Sequence, residues 1–293
     1  MNKSGFVALV GRPNVGKSTL LNRILGAKVA IVSPKPQTTR DRIAGIHTEA
    51  RGQIVFLDSP GIHRPRRALN EFMVATAERI AGEADIVVHV VDDRRGGEEE
   101  TLVRGIVSRA AAPRVLVVNK ADRMGSDGAA ARLAELMASG LYGRGFAVSA
   151  TRGTGVAELV TFLFESLPEG PAFYPDEDLT DLPMRFIAKE VIREKLFRRL
   201  DAELPYSVAV AIEEYREEPE KALTRIRAEI VVERESQKGI VIGRGGSMLK
   251  AIGTEARLEL EKETGERVYL ELFVKVEKDW SRNETKLRRL GYE

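Results

Sequence analysis

The feature that most constrains this chain is a glycine-bearing loop near its amino terminus. Residues 11–19 read GRPNVGKST and follow the mostly apolar run FVALV. Gly11 to Ser18 match the pattern G-x-x-x-x-G-K-[ST] in the context that the pattern requires, a strand before and a helix after. In such a loop the backbone N–H groups and the positive end of the helix surround phosphates, which only a glycine-rich backbone approaches closely. We therefore predict a phosphate site, in which Lys17 bridges the β- and γ-phosphates and Ser18 binds Mg²⁺.

The first 165 or so residues alternate between short apolar runs and helical patterns. The runs that we interpret as buried strands are FVALV, QIVFLD, DIVVHVVD, RVLVVNK and GFAVSA. Helix-like stretches begin near Lys17, Ala68, Glu98, Ser126 and Gly155. Such alternation is typical of an α/β domain, in which helices flank a mostly parallel sheet.

Two later motifs predict which base the site holds. Residues 119–122, NKAD, lie at the end of the apolar run RVLVV. A carboxylate at that depth can accept the N1 and N2 protons of guanine, and a site built around such bonds rejects an analogue that lacks them. We assign Asp122 to the guanine edge and Asn119 to bracing the loop. Ser149 and Ala150, which follow GFAV, would close over the guanine O6 through backbone N–H groups.

Asp58-Ser59-Pro60-Gly61 follows the run QIVFL and would complete the phosphate end of the site. The position puts a carboxylate near Mg²⁺ and a flexible amide near the γ-phosphate. DSPG alone is more often a turn, but the order and spacing of four such pieces favour a guanine nucleotide site. The predicted nucleotide contacts are Gly11, Asn14, Val15, Gly16, Lys17, Ser18, Thr19, Asp58, Gly61, Asn119, Lys120, Asp122, Ser149 and Ala150.

The composition of the chain changes at residues 167–183, LPEGPAFYPDEDLTDLP, which are rich in proline and acidic residues and indicate a linker. We place a nucleotide-binding domain at 1–167, the linker at 168–183 and a second domain at 184–293. In the second domain a helical pattern precedes two alternating strands, and a glycine-bearing turn, VIGRGG, opens a helix from Met248 to about Lys262 before a last strand. We expect a small α+β unit in the order helix, two strands, helix, helix, strand.

The turn Gly243-Arg244-Gly245-Gly246 contains the pattern GxxG, which is weak by itself because two other stretches of the chain also satisfy it. Its context carries the prediction, since KGIVI precedes it, SMLKAI follows it and alternating strands lie on both sides. A KH domain clamps the backbone of about four nucleotides with a loop in this setting. We expect Arg244 to meet a phosphate, with Lys238, Lys250 and Arg257 flanking the groove. The alternative is a glycine turn in an unrelated α+β domain with a solvated charged face.

Composition limits the other readings. The net charge is only +2, so bulk charge does not indicate nucleic acid binding, and the chain has no cysteine for disulfides, thiolate metal sites or thiol nucleophiles. No apolar run approaches the length of a membrane span, so we expect a cytoplasmic protein, with a monomer as the default.

We favour core packing over base stacking for Tyr269 and Phe273, and a solvated surface for the tail KLRRLGYE.

Together these motifs resemble the translation-factor-like class of P-loop GTPases. Within that class, Pro36-Gln37-Thr38-Thr39-Arg40 is similar to the first switch segment, whose threonine joins Mg²⁺ only while the γ-phosphate is present. We favour Thr39 over Thr38 for that role, and the alternative for both is a polar loop. By this resemblance Lys17, Thr39 and Gly61 act in hydrolysis, and Ser18, Thr39 and Asp58 hold the metal. Ile62 stands where Ras-like members carry a water-orienting glutamine, so we predict slow intrinsic turnover.

A guanine nucleotide switch followed by a KH (type II) domain resembles the Era family of ribosome-assembly GTPases over essentially the whole chain. The segments that carry the resemblance are GRPNVGKSTLLN, PQTTR, DSPG, NKAD, SA and VIGRGG, with DSPG in place of the family's usual DTPG. It implies GTP hydrolysis coupled to binding of the three-prime end of small-subunit ribosomal RNA during subunit maturation, and occasional association with the inner membrane face. The alternatives are a GTPase of RNA modification or of membranes whose second domain binds protein, and an RNA-binding scaffold whose nucleotide is structural.

Overall fold

The computed structural model describes residues 2–33, 35, 37–64, 68–201 and 204–292. These residues form two compact units, and the division between them falls after Asp181. Pro36 of the predicted switch segment lies outside the described residues. No helix in the described part of the chain is long and apolar enough to cross a membrane.

The first unit is a layered α/β fold. Its strands are β1 (Lys3–Val10), β2 (Ile43–Glu49), β3 (Gly52–Asp58), β4 (Ile86–Val91), β5 (Arg114–Val118) and β6 (Arg144–Ala147). Its helices are α1 (Lys17–Leu25), α2 (Ala68–Glu83), α3 (Gly97–Arg109), α4 (Ala121–Met137) and α5 (Val156–Ser166). The strands form one sheet in the order β2-β3-β1-β4-β5-β6, in which β2 is antiparallel to β3 and the other pairs are parallel.

The five strands predicted from apolar runs are present, but β2 was not predicted. Its sequence, IAGIHTE, shows no clean alternation, because small residues stand where the sheet meets α1. A Cβ at Gly45 would come 2.6 Å from Leu21 Cδ1 and 2.8 Å from Leu25 Cδ1. The helix packs directly on the strand backbone there. Because this packing requires a small residue, the sequence pattern of the strand is weak.

The start of α4 also differs from the prediction near Ser126. The helix begins at Ala121, immediately after Lys120, and its path is broken at Gly125, where φ is 70° and ψ is 168°. The sequence pattern identified the part of the helix beyond this break. The first turn, which carries Asp122, belongs to the site described below.

The sheet order places the functional loops at one edge. The chain leaves the carboxyl ends of β1, β3, β5 and β6 into the phosphate loop, DSPG, NKAD and SA segments, respectively. In open α/β sheets, ligands bind in the crevice outside these ends. Central strands such as β4, which is buried along its whole length, form the rigid support for that crevice.

The second unit contains the predicted order of helix, two strands, helix, helix and strand. Its main elements are α6 (Met184–Arg199), β7 (Val208–Glu218), β8 (Leu223–Val232), α7 (Glu235–Ile242), α8 (Ser247–Thr264), β9 (Arg267–Val276) and α9 (Glu284–Arg289). The sheet order is β7-β8-β9, with β7 antiparallel and β9 parallel to β8. One apolar core joins α6 and α8 to the inner face of this sheet.

The expectation of a solvated carboxyl-terminal tail was wrong. Trp280 is fully buried and stacks on Tyr292 with ring centroids 6.2 Å apart, and Lys189 of α6 lies over the same tyrosine ring. Leu287 and Leu290 are also buried. The basic residues between them dominate the sequence pattern, whereas the apolar positions dock the segment within the second unit.

Candidate nucleotide site and nucleic-acid groove

The phosphate loop connects β1 to α1 through residues that have a left-handed backbone or no room for a side chain. Asn14 and Gly16 both have positive φ, 62° and 96°. A Cβ at Gly16 would lie 2.3 Å from Nδ2 of Asn119, and one at Gly11 would lie 2.4 Å from the carbonyl oxygen of Val90. Both distances are too short for any side chain. The two glycines of the motif therefore allow close packing of the loop against β4 and the NKAD segment.

Lys17 is the first residue of α1, and its ammonium group turns back over the loop. Nζ donates to the carbonyl oxygens of Gly11 at 3.1 Å and Arg12 at 3.2 Å. Burial lowers the pKa of Lys17 to about 8, and the charge of Asp58 opposes that shift. Arriving phosphates would favour the charged form, because an opposite charge nearby offsets desolvation.

Three oxygen-bearing side chains converge beside the loop. Ser18 Oγ donates to Asp58 Oδ2 at 2.6 Å and lies 3.0 Å from Thr39 Oγ1. Burial raises the pKa of Asp58 to about 6, although Lys17 and the hydroxyls of Ser18 and Thr39 lower it. The second carboxylate oxygen of Asp58 is buried and has no hydrogen-bond partner among the residues that the structure describes. This set of hard oxygen donors fits Mg²⁺, so the three predicted metal ligands lie together.

The neighbouring threonine has a different environment. Thr38 Oγ1 donates to the carbonyl oxygen of Lys35 at 2.7 Å, within its own segment. Thr39, which we favoured by resemblance to the GTPase class, is the threonine whose hydroxyl lies beside Ser18 Oγ.

Asn119 holds three segments of the site together. Its Nδ2 donates to the carbonyl oxygen of Val15 at 2.8 Å, and its Oδ1 accepts from the backbone N–H groups of Lys120 at 2.8 Å and Ala150 at 3.0 Å. The side chain thus links the phosphate loop to the NKAD and SA segments. This geometry is the bracing role that the sequence predicts.

Asp122 lies at the open mouth of the site. The Ser149 hydroxyl donates to Asp122 Oδ1 at 2.6 Å, and this hydrogen bond is the main cause that holds the pKa of Asp122 below its usual range. An ionised carboxylate is the form that accepts two protons from a base edge. The Ser149 hydroxyl therefore orients Asp122. The backbone N–H groups that we expected over the guanine O6 have partners within the protein, since that of Ser149 donates to the carbonyl oxygen of Thr154 at 2.9 Å and that of Ala150 donates to Asn119 Oδ1 at 3.0 Å.

A cavity of about 440 Å³ lies between these segments. The predicted nucleotide residues that line it are Asn14, Gly16, Lys17, Ser18, Thr19, Gly61, Asn119, Lys120, Asp122 and Ala150, together with Thr39. Gly11, Val15, Asp58 and Ser149 are not among its lining residues. The sequence analysis missed Pro13, Ile31, Val32, Ser33, Gln37, Thr38, Arg94, Arg123 and Thr151, which also line it. Ile31, Val32, Ser33 and Arg94 lie in loops outside the motifs, whereas the other five lie within or beside motif segments, and the folded sheet brings both groups together.

The segment after Asp58 packs closely on the phosphate loop. A Cβ at Gly61 would lie 2.8 Å from the Cα of Pro13, and the N–H of Ile62 donates to the carbonyl oxygen of Gly11 at 3.2 Å. The Ile62 side chain is fully buried in the apolar core. The residue at the glutamine position therefore serves the core and is turned away from the cavity.

In the second unit, the GxxG turn joins α7 to α8. Gly243, Gly245 and Gly246 have positive φ of 72°, 58° and 79°, whereas Arg244 between them is exposed. A Cβ at Gly243 would come 2.7 Å from Met248 Cβ, so a side chain there would block the tight entry into α8. The turn therefore needs glycine at three positions, and it presents one arginine to solvent.

A groove of about 400 Å³ lies beside this turn, between α8 and β9. It is lined by Gly246, Leu249, Lys250, Gly253, Thr254, Arg257, Leu270 and Leu272. Of the predicted RNA-binding residues, Gly246 and Lys250 line the groove, while Gly243, Arg244, Gly245 and Lys238 lie on the turn and on α7. Arg257, which we expected to flank the groove, donates to both carboxylate oxygens of Glu261 at 2.8 Å. Its positive charge is therefore paired within the protein.

The two aromatic residues of β9 do not fill the core as we had favoured. Tyr269 is 48% and Phe273 is 47% exposed on the face of β9 opposite Leu270 and Leu272. Arginine guanidinium groups from β8 lie over both rings, at 5.2 Å for Tyr269 and 5.3 Å for Phe273.

The first cavity, with its phosphate loop, its three converging oxygen donors and the carboxylate at its mouth, defines a P-loop GTPase domain. Comparison with known proteins finds this domain and a second one. Residues 6–120 match the family model described as 50S ribosome-binding GTPase, and residues 203–281 match the model of the KH domain. The predicted fold class is therefore confirmed.

The chain belongs to the Era family of GTPases. It is 48% identical over 291 residues to GTPase Era of Geobacter metallireducens, covering 99% of this chain and 98% of that protein. It is 45% identical over 291 residues to GTPase Era of Carboxydothermus hydrogenoformans, with the same coverage. The family resemblance read from the motifs is thereby confirmed.

Two solved structures are similar along the whole chain. Era of Aquifex aeolicus, a variant bound to GDP·AlF₄⁻, superposes with a TM-score of 0.95 at 40% identity and covers 99% of each chain. Era in complex with MgGDPNP and nucleotides 1506–1542 of 16S ribosomal RNA also gives a TM-score of 0.95, at 39% identity, covering 100% of this chain and 99% of that one.

Proposed function

We propose that this chain is a GTP-hydrolysing switch that binds the 3′ end of small-subunit ribosomal RNA and acts in assembly of the small subunit. The observation that carries the proposal is the presence, in one chain, of a guanine nucleotide cavity and a GxxG groove. The similarity to an Era structure that holds both MgGDPNP and 16S ribosomal RNA nucleotides supports it.

In this proposal the first unit binds GTP or GDP with Mg²⁺. Lys17 neutralises the β- and γ-phosphates, and the loop N–H groups fix their position. Ser18, Thr39 and Asp58 would hold Mg²⁺, which supplies positive charge to the phosphate oxygens when bound. The amide of Gly61 lies at the same end of the cavity, where it can meet the γ-phosphate.

We infer a slow intrinsic turnover from the environment of Ile62. Its side chain is part of the core and carries no group that could orient water. Hydrolysis must then depend on backbone groups, on the charges that surround the phosphates, or on a side chain outside this position. Purified protein that releases many phosphates per second without a partner would contradict this inference.

The second unit would clamp single-stranded RNA. The RNA backbone would pass over Gly243, Arg244, Gly245 and Gly246, where Arg244 can pair with a phosphate, and Lys238 and Lys250 would add charge on the two flanking helices. The groove floor of Leu249, Leu270 and Leu272 offers an apolar surface for bases.

We place the GTP-binding function in residues 1–167 and RNA binding in 184–293, with 168–183 as the linker. A cytoplasmic monomer with occasional peripheral membrane association remains a prediction, which cell fractionation and sedimentation can check.

The decisive experiment measures binding of the intact protein to the 3′-terminal fragment of small-subunit ribosomal RNA by filter binding. Gly245→Asp introduces a negative charge and a side chain at a positive φ of the turn, so we expect at least about tenfold weaker binding. Gly265→Asp is the matched control, because Gly265 also has positive φ and open space around it but ends α8 far along the chain from the turn. Equal losses in both variants, or no binding by wild type, would contradict the clamp.

A further inference from the structure

A network of mostly buried polar side chains runs behind the phosphate loop. Arg12, Glu100, His89 and Tyr142 do not line the nucleotide cavity, whereas Lys120 at the other end of the network does. The network begins at Arg12, the second residue of the loop, whose side chain is only 5% exposed. Arg12 Nε donates to Glu100 Oε2 of α3 at 2.8 Å, and Nη2 donates to Asp92 Oδ1 at 3.1 Å and to the carbonyl oxygen of Arg94 at 2.9 Å. The guanidinium therefore joins the loop to α3 and to the end of β4.

Two further side chains support Glu100 from behind. His89 of β4 is fully buried, and its Nε2 lies 3.2 Å from Glu100 Oε1, within ion-pair distance although not aligned as a hydrogen bond. Its Nδ1 lies 2.7 Å from the hydroxyl of Tyr142, which precedes β6. Burial raises the pKa of Glu100, but His89 and Arg12 outweigh that effect and hold the pKa below its usual value. Glu100 is therefore the charged partner that Arg12 requires.

The other branch of the chain reaches the NKAD segment. Asp92 Oδ2 accepts from Lys120 Nζ at 2.8 Å, and the same ammonium group donates to the carbonyl oxygen of Asn14 at 2.6 Å. Burial raises the pKa of Asp92, while Lys120 and Arg94 lower it by a larger amount. The phosphate loop is thus held at two points. Arg12 is held directly by Glu100 and Asp92, and Asn14 is held by Lys120, which Asp92 also binds.

The packing around this junction leaves little freedom. A Cβ at Gly96 would lie 2.3 Å from Glu100 Cβ and 2.9 Å from Arg12 Nε. The carbonyl oxygen of Arg12 also accepts from Lys17. A displacement of Arg12 would therefore reach the phosphate-binding lysine within the same loop.

We propose that Glu100, supported by His89 and Tyr142, is a positioning residue for nucleotide retention, because through Arg12 it fixes the first turn of the phosphate loop to α3. Nucleotide release requires the loop N–H groups to lose their common orientation. A loop joined to α3 by a buried ion pair resists that motion, so loss of the pair accelerates release without changing any group that touches the nucleotide.

The test measures the rate constant of GDP dissociation by stopped-flow fluorescence, with a fluorescent GDP chased by unlabelled GDP. Glu100→Gln keeps the size of the side chain but removes the charge that faces Arg12, and we expect about tenfold faster release, the size expected for one charged hydrogen bond. Glu99→Gln is the matched control, since Glu99 is the preceding residue on α3 and is only half-buried. It should release GDP within about twofold of wild type, because a partly solvated charge contributes little.

Thermal unfolding of the nucleotide-free variants separates positioning from simple stability. If Glu100→Gln melts at a lower temperature but releases GDP at the same rate as Glu99→Gln, the proposal is wrong. A cycle with Arg12→Gln adds a second criterion, because the double variant should release GDP no faster than the faster single variant.

Tyr142→Phe decides the question if Glu100→Gln does not fold. This substitution removes the hydroxyl that contacts His89, at the end of the polar network farthest from Arg12. We expect two- to threefold faster GDP release, the effect expected from losing a weak neutral hydrogen bond. Tyr174→Phe is its control in the same unit, because the Tyr174 hydroxyl donates to Asp181 at 3.2 Å and does not belong to the chain of side chains from Tyr142 to Arg12. Identical release rates for these two variants would contradict a role of the chain in nucleotide retention.

Discussion

At the scale of a single residue, we expect Asp122 to determine the choice of base. It lies in the first turn of α4, where a hydrogen bond from Ser149 keeps it ionised and oriented towards the cavity mouth. A carboxylate can only accept protons, so it suits the N1 and N2 protons of guanine and offers nothing to a base that presents acceptors there.

Asp122→Asn should therefore change which nucleotide is bound. The amide loses one acceptor and presents N–H donors, so we expect GTP affinity to fall by about a hundredfold, while a triphosphate of xanthine, which has an oxygen at C2, gains affinity. Competition against a fluorescent nucleotide measures both. Asp127→Asn removes a charge from the same helix without facing the cavity and should leave both affinities within about twofold. A parallel loss for all bases would show that Asp122 supports the loop and does not read the base.

At the scale of elements, the linker of the sequence analysis is packed against the sheet for much of its length. The N–H of Ile46 in β2 donates to the carbonyl oxygen of Leu179, and Thr180 Oγ1 donates to that of Ala44 at 2.7 Å. Gln53 of β3 is fully buried and donates to the carbonyl oxygen of Tyr174, while its Oε1 accepts from the N–H groups of Phe173 and Tyr174. These contacts cover the otherwise open edge formed by β2.

Replacing Gln53 should loosen this segment from the sheet. Gln53→Leu fills a similar volume but leaves several backbone groups without partners, so we expect the free energy of unfolding of the first unit to fall by about 2–3 kcal/mol. Denaturant unfolding followed by circular dichroism measures it, with Thr48→Val as the control, since Thr48 accepts only one of the Gln53 hydrogen bonds. A loss no larger than that of the control would show that the segment is held by its other contacts.

The elements that the sequence predicted are those whose pattern is set by burial on the sheet, such as β4 and β5. The missed ones depend on tertiary partners. Strand β2 is hidden because Gly45 makes room for α1, and the tail is docked by Trp280 and Tyr292, which are far apart in a helical pattern. The candidate site divides in the same way, because motifs predict Ser18, Asp58 and Asp122, whereas Ile31 and Arg94 line the cavity only through the path of their loops.

At the scale of the whole molecule, the function requires that the state of the nucleotide changes the affinity for RNA. The structural basis on the nucleotide side is the hydroxyl of Thr39 beside Ser18, in a segment that leads directly into β2, where the linker residues Leu179 and Thr180 are bound. We expect GTP to order this segment and thereby alter the restraint on the linker. A ligand shifts such an equilibrium only by its differential affinity for the two states.

The coupling can be measured from both sides. We expect wild type to bind the ribosomal RNA fragment about tenfold more tightly with a non-hydrolysable GTP analogue than with GDP, and RNA must then raise the affinity for the analogue relative to GDP by the same factor. Thr39→Ala removes the hydroxyl beside Ser18 and should reduce the ratio to below about twofold. Thr38→Ala removes a hydroxyl that donates to Lys35 within the same segment, and it should retain the ratio. Equal RNA affinities of wild type in the two nucleotide states would leave two binding functions that share a chain without communicating. If both threonine variants lose the difference in RNA affinity between the two nucleotide states, the coupling depends on the segment as a whole. The contact of the Thr39 hydroxyl with Ser18 would then have no special role.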